Sequence, residues 1–156
     1  MAFIDRIKEI MSSSGIEAEV SEGKGFIKVK VPLEQWEEAA KALASNGFDH
    51  VKTVTIVDYK ARGVFEVAYH VSSFLDTGLA KYIIELSTEI PRDNPVVKSL
   101  VGIWPSAEFL ERESFEFFGV VFEGHPDLRP ILLLDEVVAK HPLRKDFVVK
   151  EEGIFR

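Results

Sequence analysis

The sequence predicts an α+β fold, a two-layer sandwich with a mixed sheet on one side and helices on the other. Two patterns lead to this prediction: segments whose apolar residues recur at helical spacing, and segments whose apolar and polar residues alternate. Their order is α-β-β-α-β-β-β, followed by a further helix and an extended C-terminal tail. A chain of 156 residues, of which 46% are hydrophobic, is large enough for one such domain.

Each predicted element has a recognisable start or stop. Apolar residues from Phe3 to Met11 keep helical spacing, and Gly15 follows the end of that helix. The second helix begins after Pro32 and ends before Gly47. The alternating segments are the predicted strands, at residues 16–20, 26–31, 51–58, 64–71 and 79–87. Residues 96–100 are predicted to form a short helical turn.

A third helix is predicted from Ser106 to Phe118, because Gly119 is typical of the position just after a helix. On this helix Glu108, Arg112 and Glu116 follow one another at intervals of four residues. Alternating charges at this spacing are typical of a solvated face and contribute a few tenths of a kcal/mol for each pair. We therefore expect this face to contact water.

Two other carboxylates of the third helix, Glu111 and Glu113, lie among aromatic residues. A buried carboxylate without a partner is costly, so each needs a basic or hydrogen-bonding partner. The nearest bases in sequence are His125, Arg129 and Arg144. Four interpretations stay open: the carboxylates reach water at the edge of the apolar face, form an internal ion-pair lock, contact a partner protein, or act as a catalytic pair.

The composition argues against several classes of function. The chain has no cysteine, which excludes disulfides, iron–sulfur ligation and thiolate zinc sites within it. Its net charge of −7 argues against nucleic-acid binding. No apolar run is long enough to span a membrane, and the N-terminus does not resemble a signal peptide, so we expect a soluble, cytoplasmic chain. Abundant Glu and Lys fit a thermophile.

Motifs for catalysis or cofactor binding are also missing from the sequence. There is no phosphate-binding glycine loop and no nucleophile elbow. The four histidines (His50, His70, His125 and His141) lack the spacing of zinc ligands. We therefore expect no catalytic residue, no metal site and no cofactor site in this chain.

The C-terminal part of the chain is uneven in charge. Residues 107–136 contain eight acids and two bases, whereas residues 140–156 contain five bases and three acids. Few positions after residue 119 are periodic. We expect residues 1–119 to form the α+β domain, including the third helix, and residues 120–156 to form an extended tail that packs on a partner subunit.

Residues 104–146 resemble the signature of a known family. The matching pieces are Trp104-Pro105-Ser106-Ala107, Glu111-Arg112-Glu113, Glu116-Phe117-Phe118-Gly119, Gly124-His125-Pro126-Asp127-Leu128-Arg129 and His141-Pro142-Leu143-Arg144-Lys145-Asp146. This composite motif resembles the NuoC-type subunit of respiratory complex I, also called the 30 kDa subunit, and its counterparts in membrane-bound NiFe hydrogenases and formate hydrogenlyases. The chain departs from the family pattern at Glu116, where Asp is common, and at Pro130, where a second Arg is common.

The resemblance implies a cofactor-free structural subunit in the hydrophilic arm of a complex I-like oxidoreductase, whose electron transfer is coupled to ion translocation. The implied partners are the large catalytic subunit, similar to the quinone-binding subunit of complex I or to the NiFe hydrogenase large subunit, and the small Fe–S subunit. Fe–S, NiFe or nucleotide cofactors would lie in those partners. The implied location is the cytoplasmic face of the membrane, without a span of its own. The short, cysteine-free, thermophile-like sequence favours the hydrogenase branch.

The resemblance also indicates which residues form the ion-pair lock and the partner surface. They are Glu111, Arg112, Glu113, Glu116, His125, Asp127, Arg129, His141 and Arg144. The alternative is a stand-alone enzyme or small-ligand binder that uses the same Glu, Arg and His cluster. A third class is a free-standing adaptor outside any redox complex.

Overall fold

A computed structural model describes residues 2–148 of the chain. The helices are α1 (Phe3–Ser13), α2 (Trp36–Ser45), α3 (Glu108–Phe118) and the short α4 (Asp135–Val138). The strands are β1 (Glu19–Glu22), β2 (Ile27–Lys30), β3 (His50–Tyr59), β4 (Val64–Ser72), β5 (Ile84–Pro91), β6 (Val96–Lys98) and β7 (Val121–Glu123). The predicted α+β class and the predicted order of the main elements are confirmed.

Five strands form one mixed sheet in the order β1-β2-β5-β4-β3. Strands β2 and β5 run parallel, with Ile27 beside Ile84, and the other neighbours are antiparallel. Strands β6 and β7 form a separate parallel pair in which Val97 lies beside Phe122. Both of these residues are buried in the hydrophobic core, so the chain after α3 also contributes to that core.

The helices cover one face of the five-stranded sheet. On β4, alternate residues from Phe65 to Val71 are fully buried on this face, as the alternation of the sequence predicts. Full burial of such side chains contributes about 1.5–3 kcal/mol each. Two buried indoles also satisfy their N–H groups: Trp36 donates to Lys98 O at 3.1 Å, and Trp104 donates to Phe48 O at 2.7 Å.

The opposite face of the sheet carries cross-strand ion pairs. Lys28 of β2 lies 3.2 Å from Glu66 of β4 and 3.5 Å from Glu85 of β5. Lys30 pairs with Glu89 at 2.9 Å. Opposite charges on neighbouring strands stabilise a sheet modestly, and here they also keep the uncovered face polar.

The strand predicted at residues 79–87 begins later, at Ile84, and ends at Pro91. The residues before it form a turn because the Asp76 carboxylate accepts hydrogen bonds from the N–H groups of Gly78 and Leu79, at 2.8 and 3.3 Å. The Ser72 hydroxyl reinforces this turn by donating to backbone carbonyls across it.

The helical turn predicted at residues 96–100 is wrong. The chain forms β6 there, because a parallel partner strand, β7, is supplied from beyond α3. A partner so distant in sequence leaves no local periodicity by which it could be predicted.

No helix within residues 2–148 could cross a bilayer. The longest, α1 and α3, have 11 residues each, about half of what a membrane span requires.

Candidate subunit-docking site

Helix α3 is fixed to the sheet at its start. The turn before it begins at Pro105, and the Ser106 hydroxyl bonds to the backbone of β3, accepting from Val51 N at 2.9 Å. The helix ends at Gly119, whose φ of 75° is left-handed and is the usual geometry after a helix end. The start of α3 is therefore held beside β3, and its last residue is set by Gly119.

Glu111 extends from α3 into the core and is fully buried. Its Oε1 accepts hydrogen bonds from the Tyr69 hydroxyl at 2.6 Å and from Leu100 N at 2.8 Å, and its Oε2 accepts from the Ser99 hydroxyl at 2.6 Å. Burial raises the pKa of the Glu111 carboxyl, although these three donors oppose that shift. Glu111 thus joins α3 to β4 and to the loop after β6.

The expectation that Glu111 has a partner is correct, but none of the three nearest bases provides it. His125, Arg129 and Arg144 make their hydrogen bonds with other groups. Glu113 is exposed, so only this one of the two carboxylates reaches water. Residues two positions apart on a helix point about 200° apart, and the two glutamates do not form a pair.

The expectation that Arg112 and Glu116 lie on a solvated face is wrong. Both are buried, because the chain after β7 folds back along this face of α3. The Glu116 carboxylate accepts hydrogen bonds from the backbone N–H groups of Ile131, Leu132 and Leu133, at 3.1 to 3.2 Å. A carboxylate that accepts several backbone N–H groups forms a strong, charge-assisted anchor.

We call residues 125–134 the strap. Besides Glu116, two further turns of α3 hold it. His125 Nε2 donates to Glu108 O at 3.0 Å, and Arg112 Nε donates to Arg129 O at 3.0 Å. The His125 Nδ1 accepts from Asp127 N at 3.0 Å, which fixes the tautomer of the neutral ring.

Asp127 and Arg129 form an ion pair at 2.9 Å on the outside of the strap. The Arg129 side chain is 71% exposed, so this pair contributes little to stability. Both charges remain accessible on the surface of the protein, beside the apolar part of the strap.

The strap presents apolar side chains to solvent while its backbone is anchored. Leu132 is 65% exposed, Leu134 is 76% exposed, and Ile131 is more than one-third exposed. On α3, Phe109 is exposed as well. Clustered exposed apolar side chains on an ordered backbone are typical of a protein–protein interface.

Residues 141–144 cover the C-terminal end of α3, where the last backbone carbonyls have no partner within the helix. Arg144 Nε donates to Phe118 O at 2.6 Å, and Leu143 N donates to Phe117 O at 3.1 Å. His141 Nδ1 lies 3.4 Å from Glu116 O. A cationic side chain is favourable at this end because of the helix dipole.

One ion-pair cluster was not predicted. Arg92 donates to both oxygens of the buried Asp58, at 2.8 and 3.1 Å, and lies 3.0 Å from Asp146. Lys145 N donates to Asp58 at 2.9 Å. Desolvation opposes the charge of Asp58, but the hydrogen bonds from Arg92 and Lys145 N outweigh it and lower the pKa of this carboxyl. The sequence offers no local signal for this contact, since its members come from β3, the β5–β6 loop and the C-terminal part of the chain.

The predicted site residues therefore fall into separate groups. One residue, Glu111, lies in the core, and Glu113 lies at the surface. The others hold or belong to the chain that folds back over α3: Arg112, Glu116, His125, Asp127, Arg129, His141 and Arg144. Within residues 2–148, no three His, Asp or Glu side chains lie together as metal ligands would.

Comparison with known proteins places this architecture in a family. The family model for the respiratory-chain NADH dehydrogenase 30 Kd subunit matches residues 29–153. The C-type subunit of the F420H2 dehydrogenase of Methanosarcina mazei is 33% identical over 91% of this chain and 85% of its own length. The C-type subunit of the NADH-quinone oxidoreductase of Moorella thermoacetica is 39% identical over 88% of this chain and 90% of its own length.

A solved structure shows the same fold within a larger assembly. A chain of the membrane-bound sulfane sulfur reductase, an archaeal respiratory membrane complex, superposes with a TM-score of 0.81. It is 26% identical, and the match covers 92% of this chain and 84% of that one. Together with the relatives in the NADH and F420H2 dehydrogenases, these matches show that the chain belongs to the respiratory-chain NADH dehydrogenase 30 kDa subunit family.

Proposed function

We propose that this chain is a cofactor-free structural subunit in the hydrophilic arm of a complex I-like, membrane-bound oxidoreductase. Its role is to dock and stabilise the large catalytic subunit, whose electron transfer is coupled to ion translocation. The family membership supports this proposal, because the relatives are subunits of NADH-quinone oxidoreductase and F420H2 dehydrogenase.

The strap is the observation that carries the proposal. Glu116 is buried and holds three successive backbone N–H groups of the strap, so the backbone there is ordered. In the same part of the strap, the side chains of Leu132 and Leu134 are exposed to solvent. Burying two such leucines in a partner would contribute about 1.5–3 kcal/mol each, and the anchored backbone lowers the entropy that is lost on binding.

The arrangement of the carboxylates supports docking rather than catalysis. Glu111 is enclosed by donors that join elements of the fold, and Glu113 stands alone at the surface. The remaining polar residues of the signature bind backbone groups of the strap and of the helix end. They thus hold the chain that folds back over α3 and shape its outer surface.

The finer parts of the proposal concern the assembly. The partners are the large catalytic subunit, similar to the quinone-binding subunit of complex I or to the NiFe hydrogenase large subunit, and the small Fe–S subunit, at the cytoplasmic face of the membrane. The Fe–S, NiFe or nucleotide cofactors lie in those partners. Residues 120–156 contact the large subunit, although residues 149–156 of this segment lie outside the part of the chain that the structure describes.

The first test is purification of the tagged chain from its own organism in mild detergent, followed by mass spectrometry of the accompanying proteins. We expect a large catalytic subunit and a small Fe–S subunit. A large subunit with paired Cys-x-x-Cys nickel ligands would identify a hydrogenase. A large subunit without them, together with NADH- or F420H2-oxidising chains, would identify a respiratory dehydrogenase. A chain that is recovered alone would contradict the proposal.

The second test places a charge on the strap. We expect Leu132→Asp to reduce recovery of the large subunit by tenfold or more, about the effect of losing 1.4 kcal/mol of binding energy. The matched control is Leu75→Asp, which changes an even more exposed leucine in the loop between β4 and β5. Equal recovery with the two variants would show that the strap is not the docking surface.

A further inference from the structure

A cavity lies beyond the C-terminal end of α3, next to the strap. Its lining combines two cations, one carboxylate and one imidazole with apolar side chains, and consists of Ala139, Lys140, His141, Arg144, Asp146, Phe147 and Val148. The docking role proposed above does not by itself require such a cavity.

Arg144 is held in this cavity in a fixed orientation. Its Nε donates to Phe118 O at 2.6 Å, and its guanidinium carbon lies 5.1 Å from the centre of the Phe65 ring. Gly119 allows this approach, because a Cβ there would lie 2.9 Å from Arg144 Nη2. Within residues 2–148, no hydrogen-bond acceptor faces the four N–H groups on the two terminal nitrogens of Arg144.

The carboxylates around the cavity already have partners. Asp58 and Asp146 both bind Arg92, and Asp58 also accepts from Lys145 N. No carboxylate in the described part of the chain forms an ion pair with Arg144. Burial lowers the pKa of the half-buried Arg144, and the nearby Arg92 lowers it further, whereas the charges of Asp146 and Asp58 oppose this shift.

The backbone at the cavity is strained. His141 has a φ of 47° and is the one non-glycine residue with a positive φ in the described range. Such a conformation costs about 1–2 kcal/mol for a residue with a Cβ. Strained residues persist at sites where the surrounding structure holds them, and such sites are often functional. Here the strained residue lies next to Arg144 and helps to line the cavity.

We propose that this cavity binds a carboxylate of the partner polypeptide, with Arg144 as its bidentate ligand and Lys140 as a second cation. A planar guanidinium whose two terminal nitrogens make no hydrogen bond with residues 2–148 matches the two oxygens of a carboxylate. The apolar part of the lining, Ala139, Phe147 and Val148, contacts side chains that flank the carboxylate in a polypeptide. This inference rests on the proposed docking function and names the group that is recognised.

The test is zero-length cross-linking of the purified complex with a carbodiimide, which joins an amine to a carboxylate only when the two are in contact. Lys140 supplies the amine. We expect mass spectrometry to find Lys140 joined to an Asp, a Glu or the C-terminal carboxylate of another subunit. The absence of a cross-link at Lys140 in an intact complex would overturn the inference. That result is expected if the cavity instead binds inorganic phosphate or a lipid headgroup, because neither offers a polypeptide carboxylate to Lys140.

Two variants of Arg144 sharpen the test. Arg144→Gln removes the cation, and we expect about tenfold fewer cross-links at Lys140, because charge-assisted hydrogen bonds are lost. Arg144→Lys places an amine in the cavity, and we expect that amine to join the same partner peptide. The control, Arg6→Gln, removes an exposed arginine of α1 and leaves the cross-link unchanged.

The outcomes separate this inference from the docking role. Cross-links that join Lys140 only to Glu151 or Glu152 of the same chain would overturn the inference and leave the docking role intact. A wild-type chain that purifies without partners would overturn both. Circular dichroism of each variant reports whether the fold is kept. If Arg144→Lys disturbs the helix end, the result with Arg144→Gln still tests the inference.

Discussion

Tyr69 donates its phenolic hydrogen to Glu111 at 2.6 Å, in the core between β4 and α3. Both residues are fully buried. Burial raises the pKa of Tyr69 well above its usual value, and the charge of Glu111 and this hydrogen bond raise it further. This hydrogen bond joins the sheet to the helix that holds the strap, so the position of the strap depends on a contact in the core.

Replacing the tyrosine tests the strength of this contact. We expect Tyr69→Phe to lower the free energy of unfolding by about 1.5–3 kcal/mol, the usual range for a hydrogen bond to a charged group. Urea denaturation measures this change. Tyr59→Phe is the control, because Tyr59 lies at the end of β3 with its ring beside Arg62, and a surface change of this kind alters stability by less than about 0.5 kcal/mol. Equal effects of the two changes would contradict the prediction.

The stability of the protein should depend on pH through Glu111. Burial raises the pKa of this carboxyl above its usual value of 4.5, so the native state binds this proton more tightly than the unfolded state does. The stability that this group contributes is complete below pH 4.5 and is lost as the pH rises through the folded-state pKa. The difference in unfolding free energy between wild type and Glu111→Gln should therefore decrease with rising pH. Urea titrations over this range measure it.

Asp58 gives the opposite trend and serves as the comparison. Its pKa is lowered, so its stabilising contribution is present above the usual value of 3.8 and is lost as the pH falls through the folded-state pKa. The difference between wild type and Asp58→Asn should therefore increase with rising pH. Parallel trends for the two variants would show that the signs assigned to these groups are wrong.

The strap should loosen when its anchor loses charge. We expect Glu116→Gln to speed hydrogen exchange at the amides of Ile131, Leu132 and Leu133 by about 10- to 100-fold, as for a loss of 1.5–3 kcal/mol. Exchange monitored by mass spectrometry measures this. Glu113→Gln is the matched control, since it makes the same change at an exposed position of the same helix. Unchanged exchange in Glu116→Gln would mean that other contacts order the strap.

The end of α3 should tolerate no side chain at Gly119. In Gly119→Ala the new Cβ would lie 2.6 Å from His141 Nε2, in addition to the strain of a positive φ. We expect a loss of about 2–4 kcal/mol in thermal or urea unfolding, which combines backbone strain with overpacking. Gly15→Ala has a similar φ and open space around it, so strain alone should cost about 1–2 kcal/mol there. Equal losses would show that His141 moves aside freely.

Much of the fold could be predicted from local patterns. Phe65 and Tyr69 share the core face of β4 because alternation in a strand is set by neighbours two residues away. The ends of α1 and α3 could be predicted because Gly15 and Gly119 are typical of helix ends. In both cases a few consecutive residues contain the whole signal.

The remaining features depend on contacts between distant residues. The donor to Glu111 is Tyr69, which precedes it by 42 residues, and no spacing rule points to it. Glu116 and Arg112 have the pattern of an exposed face, but residues of the strap cover them. The sequence shows that acids, bases and aromatic residues are dense from Trp104 to Arg129, whereas the partner of each charged group depends on tertiary structure.

The parallel pairing of β2 with β5 also affects how the chain folds during its synthesis. The β1–β2 hairpin is made early, but β2 has its neighbour in the sheet only after β5 has left the ribosome, since Ile27 must meet Ile84. Until then the five-stranded sheet is incomplete. The apolar sides of the β1–β2 hairpin and of α1 therefore have no complete sheet on which to pack. A chain shortened before β5 should therefore expose that surface and aggregate.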